Sequence, residues 1–364
     1  MSAARLTVRS IRATPVEVPM RHVLGTSQAA VRAAPLLLVD LETEEGITGR
    51  AYLFCYVPAA APGIVSILAE VERATKGERV APLDAWKKLA RRFTLIGVQG
   101  IVRMALAAFD VASWDAQAIA LGVPLAQLLG SAPRPIRAYN SNGLGLMDLG
   151  PLCHEAEELV AGGFEGVKLR LGYPTLADDI AAVRAVRKRI GEGIALMVDY
   201  NQALSVADAL ERGRALDAEG IAWLEEPIRH DDYAGAAMLA RELATPVQIG
   251  ENFSLVHSMA QALDAGACDL VMPDLERIGG VTGWQRAAAL AAARGIGMSS
   301  HLFPEVSAHL LAATPTAHWL EYVDWAAPIL AEPLRIVDGM AVPSDRPGNG
   351  LAWNDEAVAR YRMA

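Results

Sequence analysis

From residue 136 onward the chain repeats one rhythm: a short apolar run, a few polar residues, then an amphipathic helical pattern. The runs fall at 136–141, 166–170, 195–199, 221–225, 246–250, 269–273, 296–300 and 319–323. Eight strand candidates alternating with helices are what a (β/α)8 barrel requires. The helix pattern over 175–190 is typical, with Leu176, Ile180, Val183, Val186 and Ile190 along one side. An open doubly wound sheet is the competing parallel architecture. No GxGxxG follows a first strand here, and eight units favour closure. The fold class is therefore α/β with a barrel as its main body.

The first part of the chain has a different rhythm. Stretches near 6–18, 36–41 and 49–54 alternate like strands, with Glu44-Glu45-Gly46 as the turn between the last two. Helical patterns follow near 60–72, 83–92 and 101–121. Strands then helices define a separate α+β domain over 1–130, with the barrel over 131–330. A tail over 331–364 is expected to pack back on the first domain. It carries one hairpin, with Asp338-Gly339 as its turn.

Composition removes several function classes. The net charge is −9 and no Lys/Arg block occurs, so nucleic acid is not an expected partner. Hydrophobic residues make up 52% of the 364, enough for a large core. No uninterrupted run of about 18 apolar residues exists, so no membrane span is expected. Cys55, Cys153 and Cys268 are widely spaced and odd in number, which fits neither a disulfide framework nor a zinc cluster. The N-terminus lacks the apolar core of a signal peptide, and a cytoplasmic location is the expectation.

The charged residues carry the chemistry. Barrel strands end in Lys168/Arg170, Asp199, Glu225, Glu251, Asp274 and Glu321, with His301 after another. Asp199, Glu225 and Glu251 are 26 residues apart, one βα unit each, so they are expected at equal height on neighbouring strands. C-terminal strand ends are where barrel enzymes place their reactive groups. One such acid alone reads best as a helix cap or an ion-pair partner. Three together would repel, and a hard divalent cation relieves that cost while leaving room for water and substrate oxygens.

Lys168 and Arg170 share one face of their strand and point to carboxylate recognition or base chemistry. Asp274 and His301 sit on consecutive strands, where a carboxylate orients an imidazole into a general base. Glu321 is a candidate acid. A proton alpha to a carboxylate is very weakly acidic, because its removal makes a dianionic enediolate. A metal, Lys168 and a neutral Glu321 would stabilise that charge.

At these residues the chain resembles the mandelate racemase branch of the enolase superfamily. The matching stretches are APLLLV at 34–39, MVDYNQ at 197–202, WLEEP at 223–227, GEN at 250–252, MPD at 272–274, IGGVTGW at 278–284, and SSHLFPEVSAHLLAATPTAHWLE at 299–321. A Lys or His base working with Mg²⁺ is the general pattern of enolase-superfamily sites, so the scheme above is that pattern and not a new one. The resemblance implies a modified TIM barrel, (β/α)7β, under an N-terminal α+β capping domain. It implies Mg²⁺, with Mn²⁺ able to stand in, on Asp199, Glu225 and Glu251. It implies His301 as a base oriented by Asp274, Glu321 as electrophilic acid, and Lys168 against the substrate carboxylate. Ser141, Asn201 and His22 are the substrate-binding candidates. A small-molecule carboxylate substrate and a homo-oligomer are also implied.

One departure matters. The racemase pattern Lys-x-Lys is here Lys168-Leu169-Arg170. A guanidinium keeps its proton and accepts one poorly. Racemisation needs bases on both faces, whereas dehydration runs with one. The loop 19–34, which closes over substrate in this family, mixes polar Arg21, His22, Ser27, Gln28 and Arg32 with apolar Val23, Leu24 and Val31. The leading expectation is α-proton abstraction from a 2-hydroxycarboxylate, with mandelate-type racemisation the nearest named activity. An acid-sugar (aldonate or aldarate) dehydratase using His301 follows closely. A metal- and carboxylate-binding protein without turnover is the third reading.

Overall fold

Three antiparallel strands open the chain: β1 (Val8–Gly25), β2 (Ala30–Thr43) and β3 (Thr48–Phe54). They come from a computed structural model that describes residues 5–27 and 30–363. The central strand carries the run Leu36–Val39, all buried: β1 and β3 cover its edges, and helices from this domain pack on the sheet. Helices α1 (Ala60–Thr75), α2 (Pro82–Arg92) and α3 (Gly100–Leu121) complete this domain, and the one-turn α4 (Leu125–Leu128) leads out of it. Gly49 is required where β3 meets α3: a Cβ there would lie 1.9 Å from the Ala112 carbonyl oxygen.

The barrel strands are β4 (Ile136–Asn140), β5 (Gly166–Arg170), β6 (Ala195–Asp199), β7 (Leu224–Glu225), β8 (Val247–Ile249), β9 (Leu270–Val271), β10 (Gly297–Met298) and β11 (Leu320–Tyr322). Helices α5 (Leu149–Val160), α6 (Leu176–Ile190), α7 (Val206–Leu216), α8 (Tyr233–Glu242), α9 (Leu255–Ala265), the short α10 (Leu275–Ile278), α11 (Gly280–Arg294) and α12 (Pro304–Ala312) intervene. Each of β4 to β9 pairs in parallel with the next, and β11 returns to pair with β4. The bridge Met298↔Ala317 links the β10 and β11 sides, which closes the barrel. Seven helical crossovers and a final strand make it (β/α)7β. Tyr139, Met197, Trp223 and Trp319 fill its interior beneath the charged layer.

Local sequence explains the starts of these helices. Thr175 accepts from the Asp178 N–H while Asp178 answers the Thr175 N–H, a reciprocal cap for α6. The tail adds β12 (Arg335–Val337), β13 (Met340–Val342) and α13 (Asp355–Tyr361). It touches both bodies: β13 pairs antiparallel with β4, while the Trp353 indole donates to Asp40 at 2.8 Å. Among the described residues no helix is long and apolar enough to cross a membrane.

Two acids on α3 stitch the domains together. Asp115 accepts the Arg50 N–H at 2.7 Å and the Asn349 N–H at 2.6 Å. Asp110 accepts the Thr282 N–H at 2.9 Å and its hydroxyl at 2.5 Å. Burial pushes each carboxyl up to about 7. The native state then holds a proton that the unfolded chain, titrating near 3.8, has already lost. Stability from this source is full below that value, falls as pH rises to about 7, and is flat above. One such shift corresponds to on the order of 4 kcal/mol. Asp110→Asn should fold, since its amide can donate to the Thr282 oxygen. It should also flatten part of the fall in melting temperature across this window. An unchanged slope in thermal unfolding would exclude Asp110 as its source.

Candidate active site

The strand register sets the floor of the site. Arg170 lies opposite Asp199, and Asp199 opposite Glu225. Glu225, however, is level with Gln248. Glu251 therefore stands three residues further along its chain, not at the equal height its spacing predicts. The chain turns at Gly250, with φ of +139°, which few side-chain-bearing residues adopt. One oxygen from each of Asp199, Glu225 and Glu251 still falls within 4.8 Å of the others.

Each acid of this trio is aimed by neighbours. The Asn201 backbone and amide N–H groups donate to Asp199 at 2.7 and 3.0 Å. The Trp223 indole and the Gln248 amide donate to one oxygen of Glu225, at 2.9 and 3.3 Å, leaving its other oxygen for the site. Glu226 accepts the Gly250 N–H at 2.9 Å, which fixes the turn that delivers Glu251. Burial drives Glu225 up to about 8, with Lys168 opposing and Asp199 and Glu321 adding to the rise. Burial acts upward on Glu251 too, but the charges of His301, Arg277 and Lys168 outweigh it and bring it to about 2. Three converging carboxylate oxygens with this crowding of negative charge fit a hard divalent ion that keeps open positions.

Lys168 is buried among these acids. Its ammonium pairs with Glu225, with Glu321 at 2.8 Å and with Asp199 at 3.3 Å. Burial alone would lower its pKa; the three carboxylates reverse that and raise it. Glu321 also accepts the Ser141 hydroxyl at 2.7 Å and the Leu302 N–H at 2.8 Å. Burial favours its neutral form, yet Lys168 and His301 hold it well below the usual carboxylate range. Ser141 is likewise engaged, donating to Glu321 and accepting from Arg170 at 2.9 Å.

Arg170 is held firmly. Its Nη1 donates to the carbonyls of Ser141 and Gly143 at 2.8 and 2.9 Å, and Nη2 to the Ser141 hydroxyl. Its buried Nε has no partner among the described residues.

His301 and Asp274 form the opposing pair. Asp274 Oδ1 caps α10 by accepting the Glu276 and Arg277 N–H groups at 2.8 and 3.0 Å. Its Oδ2 lies 2.7 Å from His301 Nδ1. The same side chain thus serves as helix cap and as imidazole orienter. His301 Nε2 faces the trio, 3.2 Å from Glu251. Burial disfavours a charged ring here, but Glu251, Glu321 and Asp274 raise its pKa well above the ordinary value.

Above this floor is a cavity of about 360 Å³, at the small end of ligand pockets. Lys168, Arg170, Asp199, Asn201, Glu251, His301 and Glu321 reach it from the barrel. Leu24, Thr26, Val31, Phe54, Tyr56 and Val57 cover it from the first domain. His22 does not line it. That ring lies against α5, 3.7 Å from Glu155 and 4.0 Å from Glu158, in the stretch where the β1–β2 register shifts between Pro19 and Leu24. Gln28 falls outside the described residues. Asn201 lines the cavity; its amide nitrogen donates to Asp199, while its buried Oδ1 has no partner among the described residues.

Several lining residues escaped the sequence reading. Arg277 sits three residues after Asp274, donates to the Glu251 carbonyl at 3.2 Å, and stacks 4.6 Å from the Tyr56 ring centre. Its place in the first turn after a strand-end acid was the available signal. Phe54, Tyr56 and Trp325 gave none, since only tertiary packing brings them together.

Comparisons with known proteins agree with this geometry. The family model for the mandelate racemase / muconate lactonizing enzyme N-terminal domain matches residues 8–130. The enolase C-terminal domain-like model matches residues 152–357. An L-talarate/galactarate dehydratase of Salmonella typhimurium is 32% identical, over 96% of this chain and 88% of that protein. A crystal structure described as an enolase from alpha proteobacterium bal199, with bound Mg, superposes with a TM-score of 0.97 at 45% identity, covering 98% of this chain and 100% of that one. An enolase from Bradyrhizobium, complexed with magnesium and mandelic acid, gives 0.95 at 39% identity, with both chains fully covered. With both domain models matched and the strand-end acids converging, the chain belongs to the mandelate racemase/muconate lactonizing enzyme family and is an enzyme of the enolase superfamily.

Proposed function

We propose that this enzyme removes the α-proton of a 2,3-dihydroxycarboxylate with His301 as its single base and expels the β-hydroxyl as water. The observation that carries this reading is Arg170. It lies on β5, and His301 follows β10, so the two flank the strands that bear the acid trio. Arg170 donates to Ser141 and Gly143 and lines the cavity, offering a proton donor where a second base would stand. A dehydratase relative supports the same reading.

Asp199, Glu225 and Glu251 are the residues that would hold Mg²⁺, and two of the similar structures carry magnesium. Bound there, the ion supplies Lewis-acid stabilisation to a carboxylate gaining negative charge. The chain's own residues do the rest. Lys168 neutralises the substrate carboxylate, and Asp274 keeps the His301 ring turned so that Nε2 receives the α-proton. The C2–H electrons form the enediolate. Its collapse forms the C2–C3 double bond and breaks C3–O, and His301 returns its proton to the departing oxygen. The resulting enol tautomerises to a 2-keto-3-deoxy acid.

The racemase reading has two observations in its favour, the mandelic acid bound by the Bradyrhizobium relative and a similar structure described as a racemase from Streptomyces coelicolor. Proton NMR in D₂O with Mg²⁺ separates the two readings. A single base predicts α-proton exchange from one mandelate enantiomer only; exchange from both, with racemisation, would overturn the one-base scheme. Arg170→Lys should extend exchange to the second enantiomer, because an ammonium can lose its proton where a guanidinium cannot. Continued one-sided exchange in that variant would mean that something other than Arg170 imposes the asymmetry.

A further inference from the structure

The cavity is chemically two-sided. Its polar groups come from the barrel floor. Its roof is an aromatic stack, with Phe54 at 4.6 Å from Tyr56 and 5.1 Å from Trp325 between ring centres. Leu24 and Val31 extend it, and they are direct cross-strand partners in the β1–β2 hairpin, so they face the same side.

Among the described polar residues of that hairpin, Arg21, His22 and Ser27 are engaged away from the cavity. Arg21 pairs with Glu158 at 3.7 Å, and the Ser27 hydroxyl donates to the Tyr200 carbonyl at 3.2 Å. Thr26 is the polar exception on this wall. A polyol tail placed under such a roof would exchange water for carbon around several hydroxyls, and each buried hydroxyl without a partner is unfavourable. An aryl or branched alkyl group would bury apolar surface and stack on the rings.

We infer that the substrate is a 2,3-dihydroxycarboxylate whose far end is apolar, of the size of a phenyl ring, and not a sugar acid. This rests on the dehydratase reading above and narrows its substrate class. Dehydration of 2,3-dihydroxy-3-phenylpropanoate breaks C2–H and C3–O, releases water and gives phenylpyruvate, with no change in overall oxidation state and no co-reactant.

The test uses the full-length protein with MgCl₂. The erythro and threo phenyl compounds are compared with aldonates and aldarates by NMR detection of the keto acid. The expected result is phenylpyruvate from one diastereomer, at a kcat/KM at least ~100-fold above that of any sugar acid. Leu24→Asn and Val31→Asn should each raise KM for the phenyl compound by about tenfold. Turnover of a sugar acid with the phenyl compounds inert would overturn the apolar seat and leave the dehydratase reading standing. Exchange of the phenyl substrate's α-proton without loss of water would overturn the dehydratase reading, and this inference with it. Unchanged KM in both hairpin variants would overturn the placement beneath Leu24 and Val31.

Discussion

His301→Asn is expected to slow α-proton exchange by at least ~10³-fold, within the range that a positioned acid–base group contributes. No described neighbour can replace it. Glu251, the carboxylate 3.2 Å from its Nε2, is one of the three that would hold the ion. Asp274 has one oxygen committed to the start of α10 and the other to the ring. Because that helix cap survives the substitution, the variant should keep its circular dichroism and melting temperature, which separates loss of chemistry from loss of fold. Exchange near the parent rate in a folded variant would remove His301 as the base.

Glu225→Gln is expected to weaken Mg²⁺ binding by at least ~100-fold and to abolish turnover, since even outer partners of a metal ligand are worth about 10–100-fold. The reason is directional as well as electrostatic. Trp223 and Gln248 both donate to one oxygen of Glu225 from below. A Gln at this position must turn its carbonyl down to meet them, which points its NH₂ at the ion. Calorimetric Mg²⁺ titration of parent and variant checks this. The parent should also lose activity to EDTA and regain it with excess MgCl₂. Parent-like affinity in the variant would remove Glu225 from the ligand set.

The barrel was legible because its signals repeat. The runs at 166–170 and 195–199 coincide with β5 and β6, and strand-end acids at a constant interval showed which end carries the chemistry. The Asp338-Gly339 hairpin was legible for a local reason: both residues adopt positive φ, as such a turn requires. What stayed hidden depends on direction. The height of Glu251 is set by a glycine turn and not by residue count. Nothing local shows that His22 turns toward α5 while Leu24 faces the cavity, because the hairpin mixes polar and apolar residues without a strict period and its register shifts between Pro19 and Leu24. Ser141 and Glu321 are 180 residues apart, so their hydrogen bond follows only from β11 returning to pair with β4.

The two-sided cavity also bears on how such a protein can change over generations. Proton transfer and charge stabilisation depend on side chains fixed to the barrel strands. Contact with the far end of the substrate depends mainly on a hairpin and a strand end from the other domain. Mutations in one set need not disturb the other. A library confined to Leu24, Val31, Phe54 and Tyr56 should therefore yield descendants with new preferences that inherit the parent's reaction. Randomising the strand ends should yield mostly inactive ones.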